Sequence, residues 1–254
     1  VSGTMSAAGS RVAVITGAAR GIGQVIAARL HAQGYRVALA DLDGEGAGKA
    51  AAALDPGQET AVGLTLDVRE KSAFERVRDE VTARWGTVHV LVNNAGQSQV
   101  ESLMDITPES FSSVVRTNLD GVFLGSQVFG AYFADRGHGR IVNMASLAGQ
   151  NGGTATGGHY ASAKGGVLTL TKVFARELAA RGVTVNAVSP GPLDLPVTYD
   201  LIGPETAAAL KKNIPVGELV SPSFVADTVA LLAAEHAGSV TGACWDVNGG
   251  LYVR

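Results

Sequence analysis

Cysteine is almost missing from this chain: of 254 residues, only Cys244 carries a thiol. That count excludes a disulfide framework and a cysteine-built metal centre. It fits a reducing compartment, so a cytoplasmic location is expected. Excess charge is lacking too, with 20 Lys and Arg against 23 Asp and Glu and a net charge of −3. Without a basic cluster there is no electrostatic footprint for nucleic acid or for an anionic membrane surface. No apolar run is long enough to cross a bilayer, and no charged-then-apolar leader pattern opens the chain. Residues 1–10 are small and polar and are expected to be a disordered tail, with one domain over 11–254. No repeat, low-complexity linker or charge run interrupts that domain.

What is abundant is apolar and small. The chain is 46% hydrophobic, and its 33 glycines fall at joints between apolar segments, which suits a layered α/β protein. Short apolar runs at Val12–Ile15, Arg36–Ala40, Ala61–Leu66, Val88–Val92, Arg140–Ala145, Val183–Val188 and Ala243–Val247 read as buried strands. Between them, Gln24–Gln33 reads as a helix closed by Gly34. Lys71–Trp85 is amphipathic, with Phe74, Val77, Val81 and Trp85 on one face. Thr107 caps a helix that starts with Pro108 and runs towards Phe133. Further helices are expected over 159–180 and Ser221–Ala234. This alternation gives a parallel sheet covered on both faces. The Gly/Thr-rich loop 147–158 is too small-sided to pack a core and is expected to be a mobile site edge. Residues 193–220, with prolines at 196, 204 and 215, read as irregular; so long a segment is expected to be a lid or specificity element.

The first strand runs into Thr16-Gly17-Ala18-Ala19-Arg20-Gly21-Ile22-Gly23 and then a helix, the context that gives a glycine motif meaning. Gly17 permits a sharp turn, Gly21 lets a pyrophosphate approach the backbone, and Gly23 lets helix and strand pack closely. The helix N-terminus then faces the phosphates. Asp41 ends the second strand, where a dinucleotide fold places the acid that binds the adenosine ribose and repels a 2′-phosphate. Leu42 follows where a basic residue would favour that phosphate, so NAD(H) is the favoured cofactor. Arg20 in the glycine loop argues for NADP(H), which stays open. Asp67-Val68 after the third strand either holds an adenine or caps the next helix. Asn93-Asn94-Ala95-Gly96 makes a tight turn beside the crevice at the strand C-termini. Asn118, in the middle of a helix, either faces solvent or bonds backbone and water at the site.

Ser146 ends the fifth strand, and Tyr160-x-x-x-Lys164 places a phenol and an ammonium one helical turn apart. A free phenol, with a pKa of about 10, is a poor proton carrier at neutral pH. A fixed ammonium lowers that value, and a shift of roughly three units takes about 4 kcal/mol. A tyrosine tuned in this way is a general acid/base.

Taken in order, Thr16-Gly17-x-x-x-Gly21-Ile22-Gly23, Asn93-Asn94-Ala95-Gly96, Asn118, Ser146, Tyr160-x-x-x-Lys164 and Pro190-Gly191 resemble the short-chain dehydrogenase/reductase family across residues 12–250. The resemblance implies a Rossmann-type, doubly wound sheet of seven parallel strands, usually in a homotetramer joined through the helices at 107–134 and 159–180. It implies that Ser146 bonds the reacting oxygen and that Tyr160 gives or takes its proton. Lys164 would tune the tyrosine and bind the nicotinamide ribose, and Asn118 would hold a water linking Lys164 to solvent. Cofactor contacts are implied for Gly17, Arg20, Gly21, Ile22, Gly23, Asp41, Leu42, Asp67, Val68, Asn94, Ala95, Gly96, Pro190, Gly191 and Leu193. Leu195 stands where many relatives place a threonine that bonds the carboxamide; either Thr198 or backbone groups replace it. The interval from Ser146 to Tyr160 is one residue longer than the commonest spacing. Val240-Thr241-Gly242, the ending Val247-Asn248-Gly249-Gly250-Leu251-Tyr252 and Arg181-Gly182-Val183-Thr184-Val185-Asn186 are similar to 3-oxoacyl-(acyl carrier protein) reductases. Those enzymes dock an acidic carrier on arginines beside the site; Arg136 and Arg181 match them, or are plain helix-end cations. The expected substrate is thus a carbonyl, alcohol or acyl thioester, the last either on acyl carrier protein or on CoA. The alternatives are an NAD-dependent dehydrogenase of another secondary alcohol and a non-catalytic cofactor-binding regulator, whose expected sign, a broken Ser/Tyr/Lys set, is absent.

Overall fold

The computed structural model describes residues 11–153 and 156–253, with only the backbone of residues 201 and 202. The tail expected at 1–10 lies outside them. Seven strands form one parallel sheet in the order β3-β2-β1-β4-β5-β6-β7. They are β1 (Val12–Thr16), β2 (Arg36–Asp41), β3 (Ala61–Thr65), β4 (Val90–Asn93), β5 (Gly139–Met144), β6 (Val183–Pro190) and β7 (Cys244–Val247). Every residue of β1, β4, β5 and β6 is buried; β1 and β4 read as near-continuous apolar runs, whereas β5 and β6 also bury Arg140, Asn143, Thr184, Asn186 and Ser189.

Helices cover both faces. Ala13 and Ile15 point to one side, where α1 (Gly21–Ala32), α2 (Gly44–Leu54) and α10 (Pro222–Ala233) pack. Val12 and Val14 point to the other, against α3 (Lys71–Trp85), α5 (Gly121–Arg136) and α7 (Gly158–Leu178). Phe74, Phe129 and Phe133 are fully buried there. Each such ring contributes about 2–3 kcal/mol by leaving water. The chain reverses direction between β1 and β4, which opens a crevice at the C-terminal ends of those strands.

Several local expectations are corrected. Helix α2 was not anticipated; Asp43 caps it by accepting from the Gly46 N–H at 2.9 Å. Residues 193–220 are not irregular but carry α8 (Pro196–Ile202) and α9 (Pro204–Asn213). Pro196 and Pro204 occupy first-turn positions, where a missing N–H costs nothing, so they start helices rather than break them. Part of the loop 147–158 is also ordered as α6 (Ala148–Asn151), whose small residues let it lie against α7. The helix after Thr107 is two segments, α4 (Pro108–Val115) and α5, joined by a π turn at Arg116–Asp120 that carries Asn118.

At the opposite edge of the sheet, His89 Nδ1 accepts from the Val12 N–H at 3.0 Å. Burial, then Arg11 and His138, push the His89 imidazole pKa down to about 4. A histidine with a lowered folded pKa binds its proton more readily unfolded, so stability is lost as pH falls from about 6.5 towards 4. The loss is expected to reach about 2–3 kcal/mol. In His89→Asn, urea midpoints at pH 5 and pH 7 are expected to converge, because that titration is gone.

Candidate active site

The glycine loop is held by one hydroxyl. Thr16 Oγ1 accepts from the N–H groups of both Asn94 and Ala95 at 2.9 Å. The Asn94 amide returns the contact, donating to Thr16 O at 2.9 Å and Gly17 O at 3.0 Å. A Cβ on Gly17 would lie 2.6 Å from Ala95 Cα, and its φ of +65° is one that L side chains avoid. A Cβ on Gly23 would collide with Gly17 O and the Asn94 amide. Gly21 faces open space, as a loop left clear for a ligand should. The sequence offered no sign of Thr16's part beyond its place ahead of the first glycine.

Asp41 sits where expected, and its carboxylate also braces the loop. Oδ2 accepts from the Ala19 N–H at 3.0 Å and Oδ1 from the Asp43 N–H at 3.1 Å. Leu42 is 64% exposed and Arg20 is exposed at the N-terminus of α1. Asp67 neither caps α3 nor stands free. Arg69 grips it through Nε and Nη2 at 2.6–3.1 Å, and that hydrogen bonding holds its carboxyl below the usual range. Val68 is buried against the backbone of Gly121 and turns little side chain outward.

Asn118 is fully buried and does not face solvent. Its amide donates to Gln97 O at 2.8 Å and Val114 O at 2.9 Å, and Oδ1 accepts from the Gln97 N–H at 3.3 Å. It therefore fixes the chain just after Gly96, where a Cβ would lie 2.8 Å from Asn118 Oδ1 and 3.7 Å from Lys164 Nζ. Behind the site a buried network ties β4 and β5 to α5 and α7. Asn93 Nδ2 bonds Ser126 and Asn143, and Asn143 Nδ2 bonds Thr171.

A cavity of about 560 Å³ opens at the strand ends, with Ser146, Tyr160 and Lys164 on its wall. Ile22, Asn94, Gly96, Pro190, Gly191 and Leu193 line it too, so the motifs from five parts of the sequence converge. Thr198 lines the cavity whereas Leu195 does not. Ser98, Val197 and Leu210 also line it and stand in no motif, and Leu251, from the C-terminal stretch, joins them; only the fold brings them together.

The electrostatics differ from the expectation. Burial pushes the Tyr160 phenol up, and a hydrogen bond with the Ser146 hydroxyl opposes that rise. Lys164 donates to Met144 O at 2.7 Å, and its Nζ lies 5.7 Å from the centre of the Tyr160 ring. Burial lowers its own pKa to about 8. Both charged forms are thus disfavoured by the same desolvation. Arg136 and Arg181 also depart from expectation. They precede the starts of β5 and β6, at the N-terminal ends of the strands, away from the cavity. Arg136 stacks 3.6 Å from the Tyr132 ring centre, and Arg181 pairs with Asp135 at 3.1 Å. Neither is beside the site within one chain.

These residues suit a dinucleotide: a clear backbone at Gly21, a carboxylate at the end of β2 and a passage from Asn94 to Pro190 beside the phenol. A family profile described as Enoyl-(Acyl carrier protein) reductase matches residues 17–252. The chain is 38% identical over 248 residues to the uncharacterized short-chain type dehydrogenase/reductase y4mP of Sinorhizobium fredii, covering 96% of this chain and 98% of that one. It is 37% identical over 245 residues to the 3-oxoacyl-(acyl-carrier-protein) reductase FabG of Escherichia coli, with the same coverage. It is 38% identical over 246 residues to the acetoacetyl-CoA reductase of Rhizobium meliloti, covering 96% and 99%. The chain belongs to the short-chain dehydrogenase/reductase family, oxidoreductases that pass a hydride between a nicotinamide cofactor and a carbonyl or carbinol carbon.

Proposed function

We propose that the chain reduces 3-oxoacyl thioesters, with NADH as the favoured hydride source. The observation that carries this reading is the convergence of Ser146, Tyr160 and Lys164 on one cavity whose remaining lining is largely apolar. A protonated phenol is ready to donate, which reduction requires and oxidation does not. Leu147, Leu193, Val197, Leu210 and Leu251 offer an apolar bed for an acyl chain. The names of the Escherichia coli and Rhizobium meliloti relatives support the substrate class.

The glycine loop from Gly17 to Gly23, Asp41, Asn94–Gly96, Lys164 and Pro190–Leu193 would hold the cofactor, which supplies the hydride when bound. Ser146 and Tyr160 bond the carbonyl oxygen. As negative charge develops there, the phenol proton moves to that oxygen and the alcohol forms. Holding donor and acceptor in this geometry removes much of the entropic barrier. Lys164 faces the phenol ring and returns the proton, and Asn118 keeps Gly96 and a relay water in place. Phe111, Phe123 and Val173 leave apolar surface on α4, α5 and α7, which supports assembly into a homotetramer through those helices. With Arg136 and Arg181 away from the cavity, a CoA thioester fits one chain better than a carrier-bound one.

Paired assays test this: acetoacetyl-CoA with NADH and with NADPH, then secondary alcohols with NAD and NADP. Faster turnover of alcohols than of acetoacetyl-CoA would instead support the second reading, an NAD-dependent alcohol dehydrogenase, which the carboxylate of Asp41 favours. Asp41→Asn keeps the size and one acceptor oxygen but removes the charge that repels a 2′-phosphate. The preference for NADH over NADPH is expected to narrow about tenfold or more, since juxtaposed like charges cost several kcal/mol. An unchanged ratio means another group reads the ribose.

A further inference from the structure

We propose that Glu101 and His159 form a latch that positions the loop from Gln97 to Leu103 against the first turn of α7, and so sets the wall of the cavity opposite Tyr160. His159 precedes Tyr160 and has no exposure. Its Nδ1 accepts from the Tyr160 N–H at 2.9 Å, which assigns the proton of the neutral ring to Nε2. Nε2 makes no hydrogen bond among the described residues; the nearest charge to it is Glu101 Oε2, 3.4 Å away at ion-pair distance. That same carboxylate oxygen accepts from Ser110 Oγ at 2.7 Å, in the first turn of α4. One carboxylate thus bridges the N-termini of two helices. The first turn of α7 has no acidic side chain, so Glu101 supplies the negative charge its dipole favours.

The loop touches α7 at successive positions. The Gly157 N–H donates to Gln99 O at 2.8 Å. A Cβ on Gly157 would collide with the His159 ring, and one on Gly158 would lie 2.6 Å from Leu103 Cδ1. At its other end the loop is fixed by Asn118 on Gln97. Ser98, between the two anchors, lines the cavity. Beyond the latch Met104 is 89% exposed, so no packing of that side chain holds the loop in its place. The carboxylate and the imidazole thus add a charged contact to the backbone anchors that keep Ser98 at the cavity wall.

The effect on substrate binding rests on the reductase reading above; the loop contact itself does not. The variants are Glu101→Ala, Glu101→Gln, His159→Asn and the double Glu101→Ala/His159→Asn. Hydrogen exchange of the 97–105 backbone is measured with KM for acetoacetyl-CoA, kcat and cofactor Kd. Either single loss is expected to speed exchange and raise KM, about tenfold in Glu101→Ala, which also loses the charged hydrogen bond from Ser110 Oγ, with cofactor Kd unchanged. The double variant is expected to fall short of the sum of the two singles, because the contact between Glu101 and His159 is lost in both. Glu101→Gln, which keeps an acceptor oxygen, is expected to restore most of the KM. Unchanged exchange in Glu101→Ala, or KM effects that add in the double variant, overturns the latch. If the unmodified enzyme does not turn over acetoacetyl-CoA, the reductase reading fails while exchange still decides the latch.

Discussion

Tyr160→Phe is expected to lower kcat for carbonyl reduction by about 10²–10⁴-fold, the usual contribution of a positioned general acid. Cofactor affinity, measured by fluorescence titration, is expected to stay within about twofold, because the glycine loop and Asp41 are untouched. The fold is expected to survive. Ser146 Oγ keeps the Ala148 N–H as a partner, and phenylalanine fills the same volume. The pH dependence adds a second check. Burial raises the phenol pKa, so at neutral pH the group is a donor and reduction has its proton in place. Reduction by the unmodified enzyme is therefore expected to hold level through neutrality and fall only on the alkaline side. Oxidation of the matching 3-hydroxy compound needs the phenolate and is expected to rise over that same alkaline range. Turnover of Tyr160→Phe within about threefold of the unmodified enzyme would remove the phenol from the mechanism.

The parts of this protein that a sequence reveals are those set by local chemistry. Wholly buried strands such as β1 and β4 announce themselves as apolar runs, and Gly17 and Gly23 mark backbones that touch. Tyr160, Lys164 and Ser146 do share one cavity wall, as their order in the chain suggested. What stayed hidden depends on where things lie in space. Pro196 and Pro204 look like interruptions until the helices they begin are seen. Arg136 and Arg181 resemble docking groups by position in the chain, yet the parallel sheet carries them to the N-terminal ends of its strands, away from the cavity. The π turn around Asn118 and the bracing hydroxyl of Thr16 have no period or composition of their own. The sign of the Tyr160 shift was missed for a similar reason: spacing on a helix states which groups are neighbours, but not how much water surrounds them.

Lys164→Met is expected to abolish turnover and to make the protein more stable at neutral pH. Lys164 is 4% exposed and has no carboxylate partner within ion-pair distance among the described residues; its ammonium is held by the carbonyl of Met144. With its pKa lowered to about 8, the folded state resists the charge that the unfolded chain, titrating near 10.5, carries freely. The unfolded state binds more protons between those values, so stability rises with pH across that window. Below pH 8 the full penalty is present, on the order of 3 kcal/mol. Losing the bond to Met144 O offsets about 1 kcal/mol of the relief. Methionine of similar volume should then gain about 1–2 kcal/mol at pH 7, or roughly 2–8 °C in Tm for a domain of this size. The gain is expected to shrink as pH rises towards and past 10.5, since the lysine is neutral in the folded state above pH 8 and becomes neutral in the unfolded state only above 10.5. Calorimetry at pH 7 and pH 10 measures both ends of that range. A Tm that falls at pH 7 would show that the ammonium stabilises the fold. A gain in stability with loss of turnover would show that the chain keeps a desolvated charge beside its phenol for the reaction alone.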